Sequence, residues 1–136
     1  NVIRDCDRLG PYVEMLNSSG IRVSLFVEPD PAQIDAARKL GAPVIELHTG
    51  AYCDAKGSDR KFELERIINA AAHAYDIGLE CHAGHGLTFE TVEDVAVIPT
   101  ISELNIGHFL IGEAIFIGLE ESIRSMRKLM DSVRPA

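Results

Sequence analysis

A histidine between two glycines, Gly84-His85-Gly86, directly follows a predicted strand. Glycines on both sides permit a tight turn and a close approach of a ligand to the backbone. An imidazole at the end of a strand can donate or accept a proton near neutral pH. The pattern therefore indicates His85 as a candidate acid or base. The alternative is a loop histidine that only contacts solvent.

A second glycine-histidine pair, Gly107-His108, opens a predicted short helix after the next strand, and Gly112 follows one turn later. The free backbone amides at a helix N-terminus, together with the helix dipole, favour an anion. In (β/α)8 barrels the loops after the last two strands commonly form a phosphate site. The segments Gly84-His85-Gly86 and Gly107-His108, which follow the last two predicted strands, are therefore predicted to form a phosphate site, unless the glycines only permit close packing.

Glu46 lies on a predicted strand two positions before His48, so both side chains point to the same face. A buried glutamate can have a raised pKa and act as an acid or a base. Glu46 can equally be a structural ion-pair partner of Arg22, which lies on a neighbouring predicted strand. The spacing alone favours neither role.

Other residue types that bind metals or attack substrates are also present. Glu80, Cys81, His82 and His85 are all potential metal ligands, but alternation along the strand points Cys81 away from Glu80 and His82. We therefore expect no metal site. Cys53 is a nucleophile by residue type only, because no base is adjacent to it. A Schiff-base enzyme would need a lysine at a strand end, and all four lysines fall in predicted helices or loops.

The elements that must position these residues alternate between strand and helix. The predicted strands cover residues 21–27, 43–48, 79–83 and 103–106, and the predicted helices cover 5–17, 31–40, 59–76, 88–97, 107–117 and 119–133. Asp30-Pro31 is a typical helix start, Thr88 is the predicted cap of the fourth helix, and residues 49–58 are predicted to form a loop. Strands separated by helices indicate parallel βαβ units.

Each predicted strand has one apolar register and one register with polar or charged residues. The central strands of a doubly wound sheet, the competing architecture, are usually apolar on both faces. A barrel interior can hold charges that pair, and six residues are predicted to form such a network: Arg22, Glu46, His48, His82, Glu103 and Asn105. The pattern predicts an α/β fold with four parallel strands. A complete (β/α)8 TIM barrel needs about 250 residues, so we expect half of one, forming a single domain over residues 1–136.

The composition limits the function. A net charge of −8 argues against a nucleic-acid interface, because binding DNA or RNA needs clustered lysine and arginine. No apolar run approaches the ~20 residues of a membrane span, so no membrane interaction is expected. Three cysteines without a CxxC pair fit a reducing cytoplasm. Backbone amides can still bind a phosphorylated small molecule in an acidic chain.

Four segments together resemble the pyridoxine 5′-phosphate synthase family of vitamin B6 biosynthesis. The segments are Ile21-Arg22-Val23-Ser24-Leu25-Phe26, Val44-Ile45-Glu46-Leu47-His48-Thr49-Gly50, Ala83-Gly84-His85-Gly86-Leu87 and Glu103-Leu104-Asn105-Ile106-Gly107-His108. They occur in that family in the same order and at similar spacing, and the resemblance covers the whole chain. It corresponds only to the C-terminal half of the family, which implies that the N-terminal half of the barrel is absent from this chain.

The resemblance implies a cytoplasmic, homo-oligomeric transferase, octameric in that family, that uses no organic cofactor. It implies the condensation of 3-amino-2-oxopropyl phosphate with 1-deoxy-D-xylulose 5-phosphate to pyridoxine 5′-phosphate, with release of phosphate and water. His85 would then be the proton donor and Glu46 would stabilise the transition state. Gly86, Gly107 and His108 would hold the aminooxopropyl phosphate.

Two features separate this chain from a complete member of that family. His82 stands where the family carries asparagine, which changes the interior polar network but not the proton donor. The family's other acid–base histidine and glutamate lie in its N-terminal half, so this chain alone is expected to be inactive. Two further interpretations stay open: another phosphosugar-binding TIM-barrel enzyme, or a non-catalytic half barrel that needs a partner half.

Overall fold

The computed structural model describes residues 1–134, in which four parallel strands alternate with helices. The strands are β1 (Ser24–Val27), β2 (Val44–His48), β3 (Glu80–Gly84) and β4 (Ile101–Asn105). The helices are α1 (Cys6–Ser18), α2 (Pro31–Lys39), α3 (Gly50–Asp54), α4 (Gly57–Asp76), α5 (Val92–Ala96), α6 (His108–Ile117) and α7 (Leu119–Val133).

The order of strands in the sheet follows their order in the chain, β1-β2-β3-β4, and every neighbouring pair is parallel. A doubly wound sheet would reverse its strand order at a switch point, and these four strands do not. The arrangement is that of a partial (β/α)8 barrel, which confirms the predicted α/β fold with four parallel strands. Over residues 1–134, no helix combines the length and the apolar character needed to cross a membrane.

Helix α2 begins where the sequence predicts, because Asp30-Pro31 supplies both parts of a helix start. The Asp30 side chain accepts a hydrogen bond from the Ala32 amide at 3.0 Å, and Pro31 occupies the first helical position, where its missing N–H costs nothing. This start fixes the direction in which α2 returns along the sheet.

The hydrophobic core lies between the sheet and the helices that cover one of its faces. Ile34 of α2 and Ile67 of α4 belong to the same buried cluster as Ile45 and Leu47, and none of these four side chains exceeds 1% exposure. Each such side chain contributes roughly 1.5–3 kcal/mol on burial. Because side chains alternate along a strand, burying Ile45 and Leu47 turns Glu46 and His48 to the opposite face.

That opposite face carries a polar network at the N-terminal ends of the strands. Glu80 pairs with Arg22 and accepts a hydrogen bond from His82 Nε2 at 2.8 Å, while His82 Nδ1 lies 3.4 Å from Glu103 Oε1. The suggested pair between Arg22 and Glu46 is therefore wrong. Ser24, two residues after Arg22, is level with Val44 and Glu80, whereas Glu46 is level with Phe26, four residues after Arg22.

The ends of two strands differ from the predicted ones. β1 begins at Ser24 rather than at residue 21, because its partner β2 begins only at Val44. β4 begins at Ile101 and ends at Asn105, since a register irregularity in β3 lets Ile101 pair with Cys81.

Two helices also differ from the sequence-based prediction. The stretch 49–58 is not a loop, because it holds α3 and the start of α4. The Thr88 hydroxyl accepts a hydrogen bond from the Glu90 amide at 3.2 Å, but α5 itself begins only at Val92. Thr88 therefore caps a turn rather than the helix.

The network around Glu80 predicts a pH dependence of stability. Hydrogen bonds from Arg22 and then His82 lower the pKa of Glu80 from 4.5 to about 2. The folded state therefore holds this carboxylate ionised more readily than the unfolded chain does. The stabilisation of the folded state by ionised Glu80 is complete above about pH 4.5 and is lost as the pH falls towards 2.

Thermal unfolding of wild type and Glu80→Gln, followed between pH 6 and about pH 2, tests this expectation. Wild type should be the more stable protein at pH 6, and the difference should shrink as the pH falls. Glu65→Gln, an exposed site on α4, is the control and should show no such convergence. A constant difference between wild type and Glu80→Gln over the whole range would contradict the assignment.

Candidate active site

One cavity at the C-terminal ends of the strands contains all five residues predicted to form a site. Its volume is about 590 Å³. Its lining includes the five predicted residues, which are Glu46, His85, Gly86, Gly107 and His108, and also Asn105 and Phe109. Segments more than 60 residues apart in the chain thus meet in one space, as the strand-end argument requires.

The parallel register explains why these residues meet. His48 lies opposite Gly84, and Gly84 lies opposite Asn105, so β2, β3 and β4 all end at the same level of the sheet. The segment after each strand therefore enters the same cavity. His85-Gly86 follows β3, and Gly107-His108 follows β4.

Glu46 is half-buried and has a neutral partner rather than an arginine. Its Oε2 accepts a hydrogen bond from Asn105 Nδ2 at 2.8 Å. The carboxylate lies directly above Gly84, where an added Cβ would overlap Glu46 Oε1 and would lie 2.8 Å from the Asn105 carbonyl oxygen. Gly84 is therefore the residue that lets Glu46 reach across β3 towards Asn105 and the cavity.

The turn that presents His85 is held by a residue that the sequence analysis missed, Thr49. His85 and Gly86 have φ of 76° and 84°, and the left-handed region is unfavourable for histidine. The hydroxyl of Thr49 is shared between the carbonyl oxygens of Gly84 (2.8 Å) and His85 (2.6 Å), and its amide donates to Gly84 at 2.9 Å. Thr49 is fully buried. These bonds stabilise the turn in the conformation that exposes the imidazole.

His85 belongs to a cluster of three rings with Phe26 and His48. The centroid of the His48 ring lies 4.8 Å from that of His85, and Phe26 lies 5.1 Å from His48 and 6.4 Å from His85. His48 Nδ1 lies 3.1 Å from Oε1 of Glu28. The sequence predicted that His48 belongs to the same polar network as Arg22. The structure instead pairs His48 with Glu28, so that prediction is wrong. Phe26 and Glu28 were not predicted, although alternation from Ser24 places both on the inward register.

Gly107 and His108 form the start of α6, as predicted. The amide of Ile111 donates to the carbonyl of Gly107 at 3.1 Å, so the amides of the three preceding residues have no helical acceptor. An added Cβ at Gly107 would meet nothing within 4 Å, which leaves this end of the cavity open. Free amides and a helix dipole facing an open cavity suit an anionic group.

The cysteines and the suggested metal ligands do not form a second centre. Burial raises the pKa of the Cys53 thiol and raises that of Cys81 to about 12, which disfavours a nucleophilic thiolate at either position. Cys81 is buried within the helix-covered core, whereas Glu80 and His82 pair with each other on the opposite face. In the part of the chain that the structure describes, no three acidic, histidine or cysteine side chains converge as a metal site would require.

Comparison with known proteins gives one consistent result. The family model for the pyridoxal phosphate biosynthesis protein PdxJ matches residues 1–132. The pyridoxine 5′-phosphate synthase of Rhodospirillum rubrum is 60% identical over 133 residues, which are 97% of this chain and 53% of that protein. The enzyme of the same name from Zymomonas mobilis is 59% identical over 128 residues, 94% of this chain and 50% of that protein.

A third relative, the pyridoxine 5′-phosphate synthase of Bradyrhizobium diazoefficiens, is 54% identical over 138 residues, which cover 98% of this chain and 55% of the relative. The chain thus spans about half the length of the curated relatives it matches. The residues 1–132 that the family model matches include both the core and the residues that line the cavity.

Thr49 provides a test of how the site is held. Thr49→Val keeps the shape of the side chain but removes the hydroxyl that binds the carbonyl of His85. We expect the free energy of unfolding to fall by about 1–3 kcal/mol, because a buried acceptor loses its partner. Thr49→Ser keeps the hydroxyl and is the control, since its loss of one methyl group should cost only about 1 kcal/mol.

Urea denaturation of the three proteins measures these differences. Equal stability of Thr49→Val and wild type would show that the hydroxyl does not hold the turn.

Proposed function

Since this chain belongs to the family of the pyridoxal phosphate biosynthesis protein PdxJ, we propose that the complete polypeptide is a pyridoxine 5′-phosphate synthase. The proposed reaction condenses 3-amino-2-oxopropyl phosphate with 1-deoxy-D-xylulose 5-phosphate and releases phosphate and water. The observation that carries the proposal is the single cavity in which an imidazole, a carboxylate and the start of a helix face one another.

The phosphate of 3-amino-2-oxopropyl phosphate is proposed to bind at Gly86, Gly107 and His108. The free amides at the start of α6 support this role, because residues at this helix start line the cavity and such amides favour a negative charge. The glycine at position 107 leaves room for the group to approach the backbone. The amino and keto groups of the bound substrate then lie towards Glu46 and His85, which line the same cavity.

Glu46 is proposed to stabilise the transition state. Condensation of an amine with a ketone passes through species that carry positive charge on nitrogen, and a fixed carboxylate stabilises such a charge. The hydrogen bond from Asn105 supports this role, because it holds Oε2 in place, and within residues 1–134 no cationic side chain pairs with Glu46 and competes for the charge.

His85 is proposed to be the proton donor. Imine formation, loss of water and ring closure each require a proton to be delivered to a leaving or forming group. An exposed imidazole on a turn fixed by Thr49 supports this role, since histidine changes charge near neutral pH. We propose no organic cofactor, because imine formation, loss of water and ring closure proceed by proton transfers.

We also propose that the complete polypeptide forms a homo-oligomer. The apolar face of α6 and the start of α7 is exposed over six residues, which are Ile111, Ile115, Phe116, Ile117, Leu119 and Ile123. Monomeric proteins rarely leave so large an apolar surface in water. This exposed apolar surface supports the proposal of a homo-oligomer, for which the resemblance implies an octamer. The cytoplasmic location remains a prediction.

Two other functions remain as alternatives. Another phosphosugar barrel enzyme of the aldolase type would need a lysine in the cavity, and the cavity lining contains none. A non-catalytic half barrel would bind no substrate in the cavity and would only pair with a partner half. Formation of pyridoxine 5′-phosphate by the complete polypeptide would distinguish the proposed synthase from both alternatives.

The proposed proton donor is tested in the complete polypeptide by His85→Asn. We expect kcat for pyridoxine 5′-phosphate formation to fall by about 10²–10⁴-fold, the usual contribution of a general acid. His73→Asn is the control, because His73 lies on α4 and pairs with Asp35 on the helical side. The assay follows pyridoxine 5′-phosphate and released phosphate together. Wild-type kcat in His85→Asn would contradict the assignment.

The proposed phosphate site is tested by Gly107→Asp. A carboxylate at the start of α6 repels a phosphate, and the open space around Gly107 accommodates the side chain without unfolding the protein. We expect KM for 3-amino-2-oxopropyl phosphate to rise by about tenfold or more, which corresponds to at least about 1.4 kcal/mol. Gly112→Asp introduces the same charge one turn later, also in open space, and should leave KM near the wild-type value.

An unchanged KM in Gly107→Asp, or an equal rise in both variants, would place the phosphate elsewhere.

A further inference from the structure

His48 has no role in the proposed reaction, yet its ring is in contact with the ring of the proposed proton donor. The two centroids are 4.8 Å apart and the rings are inclined by 46°. Phe26 meets His48 edge-on at 5.1 Å and closes the cluster on a further side. His48 is therefore placed to determine where the imidazole of His85 can lie.

The backbone of His85 is fixed, but its side chain depends on packing. Thr49 binds the carbonyl of His85 and so holds the turn. Within residues 1–134, the imidazole itself makes no hydrogen bond to a protein group. Contact with the neighbouring rings is thus what limits rotation of the His85 side chain.

The ring of His48 is itself fixed by a carboxylate. Its Nδ1 lies 3.1 Å from Oε1 of Glu28, which follows β1. An ionised carboxylate only accepts hydrogen bonds, so Nδ1 carries the hydrogen, and the pair sets the orientation of the ring. The Cε1–Nε2 edge of the same ring faces Gly50 at the start of α3.

Gly50 shows how closely the two rings are packed. A Cβ added at Gly50 would lie 2.9 Å from Cε1 and Nε2 of His48 and 3.2 Å from Cδ2 of His85. Both rings therefore pack against the backbone of Gly50, which has no side chain to keep them away. A ring of His48 released from Glu28 would move within this confined space and displace its neighbour.

We propose that His48, held by Glu28, is a positioning residue that fixes the imidazole of His85 in its proton-donating orientation. The inference rests on the proposed function, because it assigns His48 a part in the reaction of that site. His48 and Glu28 transfer no proton to the substrate in this account. They keep the ring of His85 aligned, and misalignment by about 1 Å is enough to cost a reaction up to about 100-fold in rate.

Two substitutions of Glu28 in the complete polypeptide test the proposal. Glu28→Ala removes the acceptor for His48 Nδ1, and we expect kcat to fall by about 10–100-fold while KM for each substrate stays within about threefold. Glu28→Gln keeps a carbonyl oxygen that can accept the same hydrogen bond. We expect it to restore kcat to within about threefold of wild type, a rescue that general destabilisation would not produce.

A matched control is available in another histidine–carboxylate pair, that of His73 and Asp35. Asp35 Oδ1 lies 2.8 Å from His73 Nε2 between α2 and α4, outside the cavity. Asp35→Ala breaks a pair of the same chemistry and should leave kcat unchanged. Three kinetic results would overturn the proposal: wild-type kcat in Glu28→Ala, a kcat in Glu28→Gln as low as in Glu28→Ala, or a rise in KM with unchanged kcat.

The crystal structure of Glu28→Ala gives a second measurement that needs no turnover. We expect the ring of His85 to leave its position beside His48 or to occupy several orientations. An unmoved ring would overturn the proposal even if kcat fell. If the wild-type polypeptide forms no pyridoxine 5′-phosphate, the proposed synthase function fails, and the position of this ring still decides whether His48 and Glu28 orient His85.

Discussion

The parallel register of the four strands is the constraint on which the rest of the molecule depends. It aligns Glu46 with His82 and His48 with Gly84, and so brings the ends of three strands to one level. The buried residues of β2 hold that register, since a slip by one residue would turn Glu46 into the core. The cost of burying an unpaired charge, several kcal/mol, excludes that alternative.

The same register divides the inward face into two regions with different chemistry. At the N-terminal ends of the strands, Glu80 pairs with both Arg22 and His82. At the C-terminal ends, Glu46 has a neutral amide partner and His85 has only ring contacts. Paired charges thus stabilise one end, whereas the groups at the other end remain available to a substrate. This division matches the general rule that barrel chemistry occurs at the C-terminal face.

Much of this architecture could be predicted from the sequence, because its signals are local. The cap and proline at Asp30-Pro31 and the glycine-histidine turns are determined by short segments. Period-two alternation identified the inward register, which includes Glu46, and the strand-end argument identified the two glycine-histidine segments that line the same cavity. The alignment of strands could not be predicted in the same way, since it depends on contacts between distant segments.

The failures follow from that dependence. Glu46 was suggested as a partner of Arg22, whereas the actual partner is Glu80. The sequence of a single strand does not show which residues of neighbouring strands lie opposite it. The role of Thr49 was missed because its hydroxyl acts on a turn 36 residues later. The pairing of Glu28 with His48 likewise joins two strand ends that only the folded sheet brings together.

The central claim is that one cavity at the strand ends holds a phosphorylated substrate between the start of α6 and the pair Glu46 and His85. The crystal structure of the complete polypeptide with 3-amino-2-oxopropyl phosphate tests it most directly. The account predicts the phosphate at the amides of Gly86, Gly107 and His108, with the amino-ketone end within reach of Glu46 and His85. A phosphate bound at any other place, or an amino-ketone end directed away from His85, would contradict it.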